Sequence, residues 1–119
     1  MTQPQLDAVA GLPLYDGAIL DGLRAALGPA TDTLVEKATG VLDDRMAKLH
    51  DMSDTPLDDE FARLAHEIAG VAGQIGLTRL SKASLALERI SRDGDADSAA
   101  GVLRDVETIA SESRDAMGR

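Results

Sequence analysis

The chain has 119 residues, a usual length for one domain, and carries 21 acidic against 12 basic residues, a formal net charge of -9. This charge repels nucleic-acid phosphates and anionic lipid headgroups, so neither nucleic acid nor a membrane is expected as a partner. Because the chain has no cysteine, disulfides, thiolate metal sites and thiol nucleophiles are excluded. Apolar residues make up 44% of the chain but only Tyr15 and Phe61 are aromatic, which favours close-packed helices and an all-α fold.

The first elements are an N-terminal extension over residues 1–15 and a short helix predicted over residues 16–27. Asp16 is suited to cap this helix, and Gly28-Pro29 breaks it. The next helix is predicted from about Thr31 to Met52, because apolar residues recur there every three to four positions. Its predicted buried stripe consists of Leu34, Val35, Ala38, Val41, Leu42, Leu49 and, less regularly spaced, Met46.

Three further helices follow with short connections. The third is predicted over about 56–75, because Pro56 suits a first helical position and a glycine ends the apolar pattern. The fourth begins at Leu77 or Thr78, and the fifth runs from the turn at residues 93–95 to about Met117.

Four long helices with short connections predict an antiparallel four-helix bundle over residues 31–117, with the short helix added on its N-terminal side. The whole chain is expected to form one domain. The sequence has no run of about eighteen apolar residues and no basic, signal-like start, so a cytoplasmic location is expected.

The candidate functional residue is His66, in the third predicted helix. At about 100° per residue, the apolar residues of that helix share an arc of roughly 120°, and His66 lies about 160° from its centre. We therefore expect an imidazole that faces solvent, not a hydrogen-bonded histidine in the core. The same side of the helix is predicted to carry Ala62, Ala69, Gly70 and Gly73.

Gly70 and Gly73 weaken the helix by about 1 kcal/mol each relative to alanine, so a compensating role is expected. One role is the close approach of another protein to the imidazole, because glycine removes side-chain bulk. The other is tight packing of the N-terminal segment on this face. The helical pattern leaves both roles open.

The run HEIAGVAGQIG, from His66 to Gly76, resembles the signature of the histidine phosphotransfer (HPt) domain family. That signature has a histidine, an apolar residue two positions later, and glycine four and ten positions later. The resemblance implies that His66 is the phosphoacceptor of a carrier that relays a phosphoryl group between aspartates of response-regulator receiver domains, without catalytic turnover of its own. The matching positions are Ile68, Gly70 and Gly76, followed by Leu80 and the Leu87-Glu88 pair in the next helix.

One position departs from the family pattern, because Ala69 stands where the family usually has lysine. The resemblance implies that this lysine helps to position phosphoryl oxygens, so position 69 does not supply that positive charge here. Arg63, one helical turn before His66, is the first candidate, although a solvated surface charge is the favoured interpretation of each cation. Arg79 and Lys82 are the further cation candidates, and Ala62, Ala69, Gly73 and Gln74 form the predicted floor around the imidazole, with Gln74 either a donor to phosphate or a solvated residue.

The resemblance also implies the partners: receiver domains and a hybrid or sensor histidine kinase. The chain is expected to be a monomer with no cofactor of its own, and Mg²⁺ is expected in the partner receiver domain. The other histidine, His50, lacks the glycine context and is expected to interact with the dipole at the end of its helix. A metal site is not expected, because the two histidines lack a helical pairing of ligands.

Two alternatives remain open. The first is the phosphoacceptor and dimerisation hairpin of a sensor kinase, in which the histidine is commonly followed by an acidic residue, as in His66-Glu67. That family favours proline five residues after the histidine, where this chain has Val71. The second is an adaptor that binds receivers without being phosphorylated, which Ala69 favours.

Overall fold

The computed structural model describes residues 9–118, in which five α-helices follow one another and no β-strand occurs. The predicted all-α class is confirmed. The helices are α1 (Gly17–Leu27), α2 (Ala30–Asp51), α3 (Asp59–Gln74), α4 (Thr78–Asp93) and α5 (Ala96–Met117). None of them has both the length and the apolar character needed to cross a bilayer.

Aspartate caps begin two of the helices. The side chain of Asp16 accepts a hydrogen bond from the backbone N–H of Ala18 at 3.1 Å, and that of Asp95 accepts one from Ser98 at 3.1 Å. These bonds satisfy backbone donors that have no partner within the helix. The predicted starts of α1 and α5 therefore agree with the structure to within a residue or two.

The predicted start of α3 was wrong, because the helix begins at Asp59 and not near Pro56. The preceding residues form turns, in which the backbone N–H of Asp58 donates to the carbonyl oxygen of Thr55 at 3.1 Å. The carbonyl of Pro56 accepts the hydroxyl hydrogen of Ser91, on α4, at 2.6 Å. This contact holds the turn against α4 and uses the carbonyl that a longer helix would have needed.

The core lies between the four long helices, and α3 packs against both α2 and α4. Burial of each large apolar side chain contributes about 1.5–3 kcal/mol to folding, so these contacts hold α3 in a fixed position. The largest fully buried side chains are Phe61, Leu49, Leu64, Ile68, Ile75, Leu77, Leu80 and Leu87.

Two members of the stripe predicted for α2 lie outside the core. Leu34 and Val41 are exposed, whereas Val35, Ala38 and Leu42 are buried. At about 100° per residue, the two exposed residues lie roughly 90° around the helix from the buried ones. The face of α2 that packs against the core is therefore narrower than the apolar face of this helix.

Ion pairs show how the long helices are directed. On α3 and α4, Asp59 pairs with Arg92 and His66 pairs with Glu88. Residue numbers therefore rise along α3 where they fall along α4. The two helices therefore run in opposite directions. The same holds for α2 and α5, which are joined by the pairs Asp43–Arg114 and His50–Glu107.

Candidate functional site

His66 lies on α3, at the border with α4. Its side chain is 66% exposed, so the predicted orientation towards solvent is confirmed. The imidazole nevertheless has a fixed neighbour, because its Nδ1 lies 2.9 Å from Oε1 of Glu88 on α4. The ring is thus accessible from outside and held from one side by a hydrogen bond.

Glu88 determines which ring nitrogen is available. Partial burial raises the pKa of this carboxyl, but hydrogen bonds from His66 and Arg92 outweigh burial and leave the pKa below its ordinary value. Near neutral pH Glu88 is therefore an anion that only accepts hydrogen bonds, so Nδ1 of His66 carries the hydrogen. In a neutral ring the lone pair is then on Nε2, the nitrogen that Glu88 does not contact.

Arg92 contacts the same carboxylate from the other side. Its Nε donates to Oε2 of Glu88 at 3.1 Å, and its Nη1 donates to Oδ1 of Asp59, on α3, at 3.0 Å. Both oxygens of Glu88 are therefore occupied, one by His66 and one by Arg92. This row of contacts fixes Glu88 and crosses from α4 back to the start of α3.

Ala62 and Ala69 lie deeper than the helical wheel predicted. They are only 1% and 4% exposed, because α4 packs across them. The buried arc of α3 is therefore wider on the α4 side than the apolar pattern indicated, and His66 lies beside its edge and not opposite its centre. Ser81 on α4 closes this seam by donating its hydroxyl hydrogen to the carbonyl oxygen of Ala69 at 2.8 Å.

A small hollow lies over Ala62, one helical turn before His66. It has a volume of about 270 Å³ and is lined by Leu57, Asp59, Ala62, Ser91 and Arg92. We call it the Ala62 hollow. Two exposed apolar side chains lie near these residues: Leu57 lines the hollow, and Leu85 on α4 lines a surface pocket together with Glu88 and Arg92.

The glycines of α3 differ in their surroundings. Within the described part of the chain, a Cβ on Gly70 would meet no atom of a neighbouring element within 4 Å, whereas a Cβ on Gly73 would lie 3.3 Å from Oγ of Ser81. Gly70 thus leaves open space, and Gly73 accommodates α4. Of the described N-terminal residues, Asp16 contacts Gly76, whose carbonyl oxygen accepts the backbone N–H of Asp16 at 2.7 Å.

Arg63 is exposed on α3, about one helical turn before His66. It forms ion pairs with Glu60 and Glu67, and Glu67 also accepts Nε of Arg45, on α2, at 2.7 Å. The structure therefore joins Arg63 to the α2 side and not to the imidazole.

The other predicted positioning residues are spread over the surface. Arg79 donates its Nε to the carbonyl oxygen of Leu12 at 2.9 Å, so this guanidinium holds the N-terminal segment. Lys82 is exposed and forms no ion pair among residues 9–118. Gln74 is exposed at the end of α3, two helical turns after His66.

His50 has a similar local arrangement on the other side of the molecule. Its side chain is 67% exposed, and its Nδ1 lies 2.8 Å from Oε2 of Glu107 on α5. The sequence predicted that His50 interacts with the dipole of its helix. The structure shows Glu107 as a further partner of His50. A groove of about 450 Å³ between α2 and α5 contains both residues.

Sequence reasoning gave no role to Glu88 or Arg92. Glu88 could have been found from its place in the Leu-Glu pair that resembles the HPt pattern. No sequence signal identifies Arg92, because its contacts depend on the register between α3 and α4.

An exposed imidazole whose second nitrogen is held by a carboxylate is the arrangement of a nucleophilic histidine. Among residues 9–118 this arrangement occurs at both His66 and His50, so the geometry identifies two candidate acceptor histidines, of which only His66 has the glycine context. The model of the Hpt domain family matches residues 18–116, which include nearly the whole of all five helices, so the chain belongs to the Hpt domain family. No match was found among curated proteins or among solved structures.

Proposed function

We propose that this Hpt domain is a phosphocarrier that accepts a phosphoryl group on Nε2 of His66 from an aspartate of one receiver domain and passes it to an aspartate of another. One observation carries the proposal: in a chain of this family, His66 is exposed while its Nδ1 is held by Glu88 at 2.9 Å. Nε2 has no hydrogen-bond partner among residues 9–118, so it is the nitrogen that we propose a docked receiver reaches.

The transfer requires no separate base. The lone pair on Nε2 attacks the phosphorus of the aspartyl phosphate in line, an N–P bond forms, the P–O bond breaks, and the aspartate leaves as a carboxylate. Nδ1 keeps its hydrogen throughout, so the phosphorylated ring becomes positively charged. The anionic Glu88 stabilises that charge, and the reverse reaction passes the group onward. The receiver is proposed to supply Mg²⁺.

The surroundings of His66 suit a docking receiver. Gly70 leaves open space one helical turn after the histidine, and the exposed Leu57 and Leu85 offer apolar contact. These described residues therefore offer a partner a surface of low bulk with apolar contacts next to His66. We further propose an antiparallel four-helix bundle that acts as a monomer without turnover of its own; the cytoplasmic location remains a prediction.

The test is incubation of the wild type, His66→Gln and His50→Gln with a panel of phosphorylated receiver domains, followed by mapping of acid-labile phosphate. His50 is the matched control, because it is equally exposed and has the same Nδ1–carboxylate contact. We expect label on the wild type and on His50→Gln and none on His66→Gln. Label retained by His66→Gln would contradict the proposal.

The adaptor is the second candidate, and the alanine at position 69 favours it. Binding of a receiver without incorporation of phosphate, also when phosphoramidate is supplied as a small donor, would support an adaptor.

The other alternative is the phosphoacceptor and dimerisation hairpin of a sensor kinase. Sedimentation analysis separates the proposed monomer from that helical-hairpin dimer.

A further inference from the structure

Most cations that the sequence offered for the phosphoryl group have other contacts. Arg63 forms ion pairs with Glu60 and Glu67, and Arg79 holds the carbonyl of Leu12. At position 69 the chain has a buried alanine. Neither arginine is therefore directed towards the imidazole.

Arg92 is the cation that the structure links to His66. The two residues contact opposite oxygens of the Glu88 carboxylate, at 3.1 Å from Nε of Arg92 and 2.9 Å from Nδ1 of His66. Ala62 lies on α3 one helical turn before His66. Arg92 lines the Ala62 hollow. The guanidinium is thus separated from the imidazole by one shared carboxylate and lines a hollow one helical turn before His66.

Part of the guanidinium is available for a ligand. Nε and Nη1 donate to Glu88 and Asp59, whereas Nη2 donates to no residue within 9–118. Asp59 is 87% exposed, and ion pairs at such exposed positions contribute little, so Nη1 can exchange this partner at small cost. Glu88 meanwhile keeps the guanidinium beside the imidazole.

We infer that Arg92 stabilises the phosphoryl group on His66 by donating an Nη–H hydrogen bond to a phosphoryl oxygen. The inference rests on the proposed function, since it concerns the phosphorylated form of the same histidine. Arg92 takes part in no covalent step: it neutralises charge that accumulates on the phosphoryl oxygens in the transition state and remains in the product. It supplies the positive charge that position 69 lacks.

The experiment uses phosphoramidate as the donor, so no receiver needs to be identified. Nε2 attacks phosphorus, the donor P–N bond breaks, and ammonia leaves. Phosphorus NMR then follows the rate of phosphohistidine formation and the pKa of the bound phosphoryl group. Arg92→Gln is compared with Arg89→Gln, a matched control that removes the same charge from an exposed arginine on the same helix.

We expect Arg92→Gln to slow phosphorylation about tenfold, the effect of losing one charge-assisted hydrogen bond. The pKa of the phosphoryl group should rise by about one unit, because a nearby cation favours its dianion. Arg89→Gln should leave both quantities close to the wild type, and Arg92→Lys should keep the lower pKa. Arg92→Met, which retains the aliphatic stem, serves as a second neutral variant if Arg92→Gln does not fold.

The outcomes separate the two proposals. A phosphoryl pKa that is the same in the wild type and in the neutral Arg92 variants would overturn the role of Arg92, even if the rate fell, because loss of Glu88 positioning alone changes the rate. A wild type that forms no phosphohistidine on His66 with phosphoramidate or with any receiver would overturn the proposed function itself.

Discussion

The carbonyl oxygen of Asp16 lies 2.6 Å from the position that a Cβ atom on Gly76 would occupy. The backbone N–H of Asp16 donates to the carbonyl oxygen of Gly76 at 2.7 Å, so the two backbones touch at this point. Gly76 also has a φ of +85°, in the left-handed region. Both observations require glycine, and together they explain how the N-terminal segment is attached to the turn between α3 and α4.

Gly76→Ala is expected to lower the free energy of unfolding by about 2–4 kcal/mol, from left-handed strain and from displacement of Asp16. Gly94→Ala is the matched control, because Gly94 has a φ of +84° but no atom within 4 Å of its Cβ position. That variant should lose only about 1–2 kcal/mol. Urea unfolding measures both, and equal losses would show that the contact with Asp16 contributes nothing.

Gly70 is expected to tolerate a side chain structurally but not functionally. Gly70→Ala should raise the free energy of unfolding by up to about 1 kcal/mol, because alanine favours the helix and its Cβ meets no atom within 4 Å. Gly70→Leu should slow phosphotransfer from a receiver while leaving phosphorylation by phosphoramidate near the wild-type rate. Unchanged transfer from the receiver would contradict the role of Gly70 as open space for docking.

The sequence predicted the helices well because each has its own periodic apolar pattern and its own end signals. Asp16 at the start of α1 and the turn at Gly94 act within a few residues, so they can be recognised without the rest of the fold. The start of α3 could not be recognised in this way. It depends on the contact between Pro56 and Ser91, which are far apart in the sequence.

In the site, too, the features that depend on one helix were predictable, and those that depend on the packing of two helices were not. The exposure of His66 follows from the pattern of α3 alone, and the resemblance to the family identified its chemistry. The burial of Ala62 depends on how α4 crosses α3, and the contacts of Arg92 depend on the register of that crossing. An alanine fits either an exposed surface or a tight contact between helices, so the presence of alanine does not indicate which of the two it occupies.

Ser91 and Ser84 on α4 allow a direct test of the contact that precedes α3. Both are buried, but the hydroxyl of Ser91 donates to Pro56 whereas that of Ser84 has no partner among residues 9–118. Ser91→Ala should lower the free energy of unfolding by about 1–2 kcal/mol, because the carbonyl of Pro56 loses its donor. Ser84→Ala should be neutral or stabilising. Thermal unfolding compares the two, and equal effects would contradict the assigned hydrogen bond.

The hydrogen bonds to Glu88 make stability depend on pH in a defined direction. Partial burial opposes ionisation of Glu88, but the bonds from His66 and Arg92 outweigh it, so the pKa in the folded state lies below the ordinary 4.5. The unfolded chain therefore binds this proton first as pH falls. The stabilising contribution is complete above about pH 4.5, the ordinary value, and disappears as pH falls through the lower pKa of the folded state.

Glu88→Gln should remove this pH dependence, because glutamine does not ionise. The difference in unfolding free energy between the wild type and Glu88→Gln is expected to favour the wild type near neutral pH and to shrink as pH falls below about 4.5. Glu112→Gln, at an exposed position on α5, corrects for the change in net charge. Urea unfolding between pH 7 and the lowest pH at which the fold persists measures the difference. A difference that grows in acid would mean that the carboxylate is destabilising in the folded state, and Glu88 would then be unsuited to hold the imidazole.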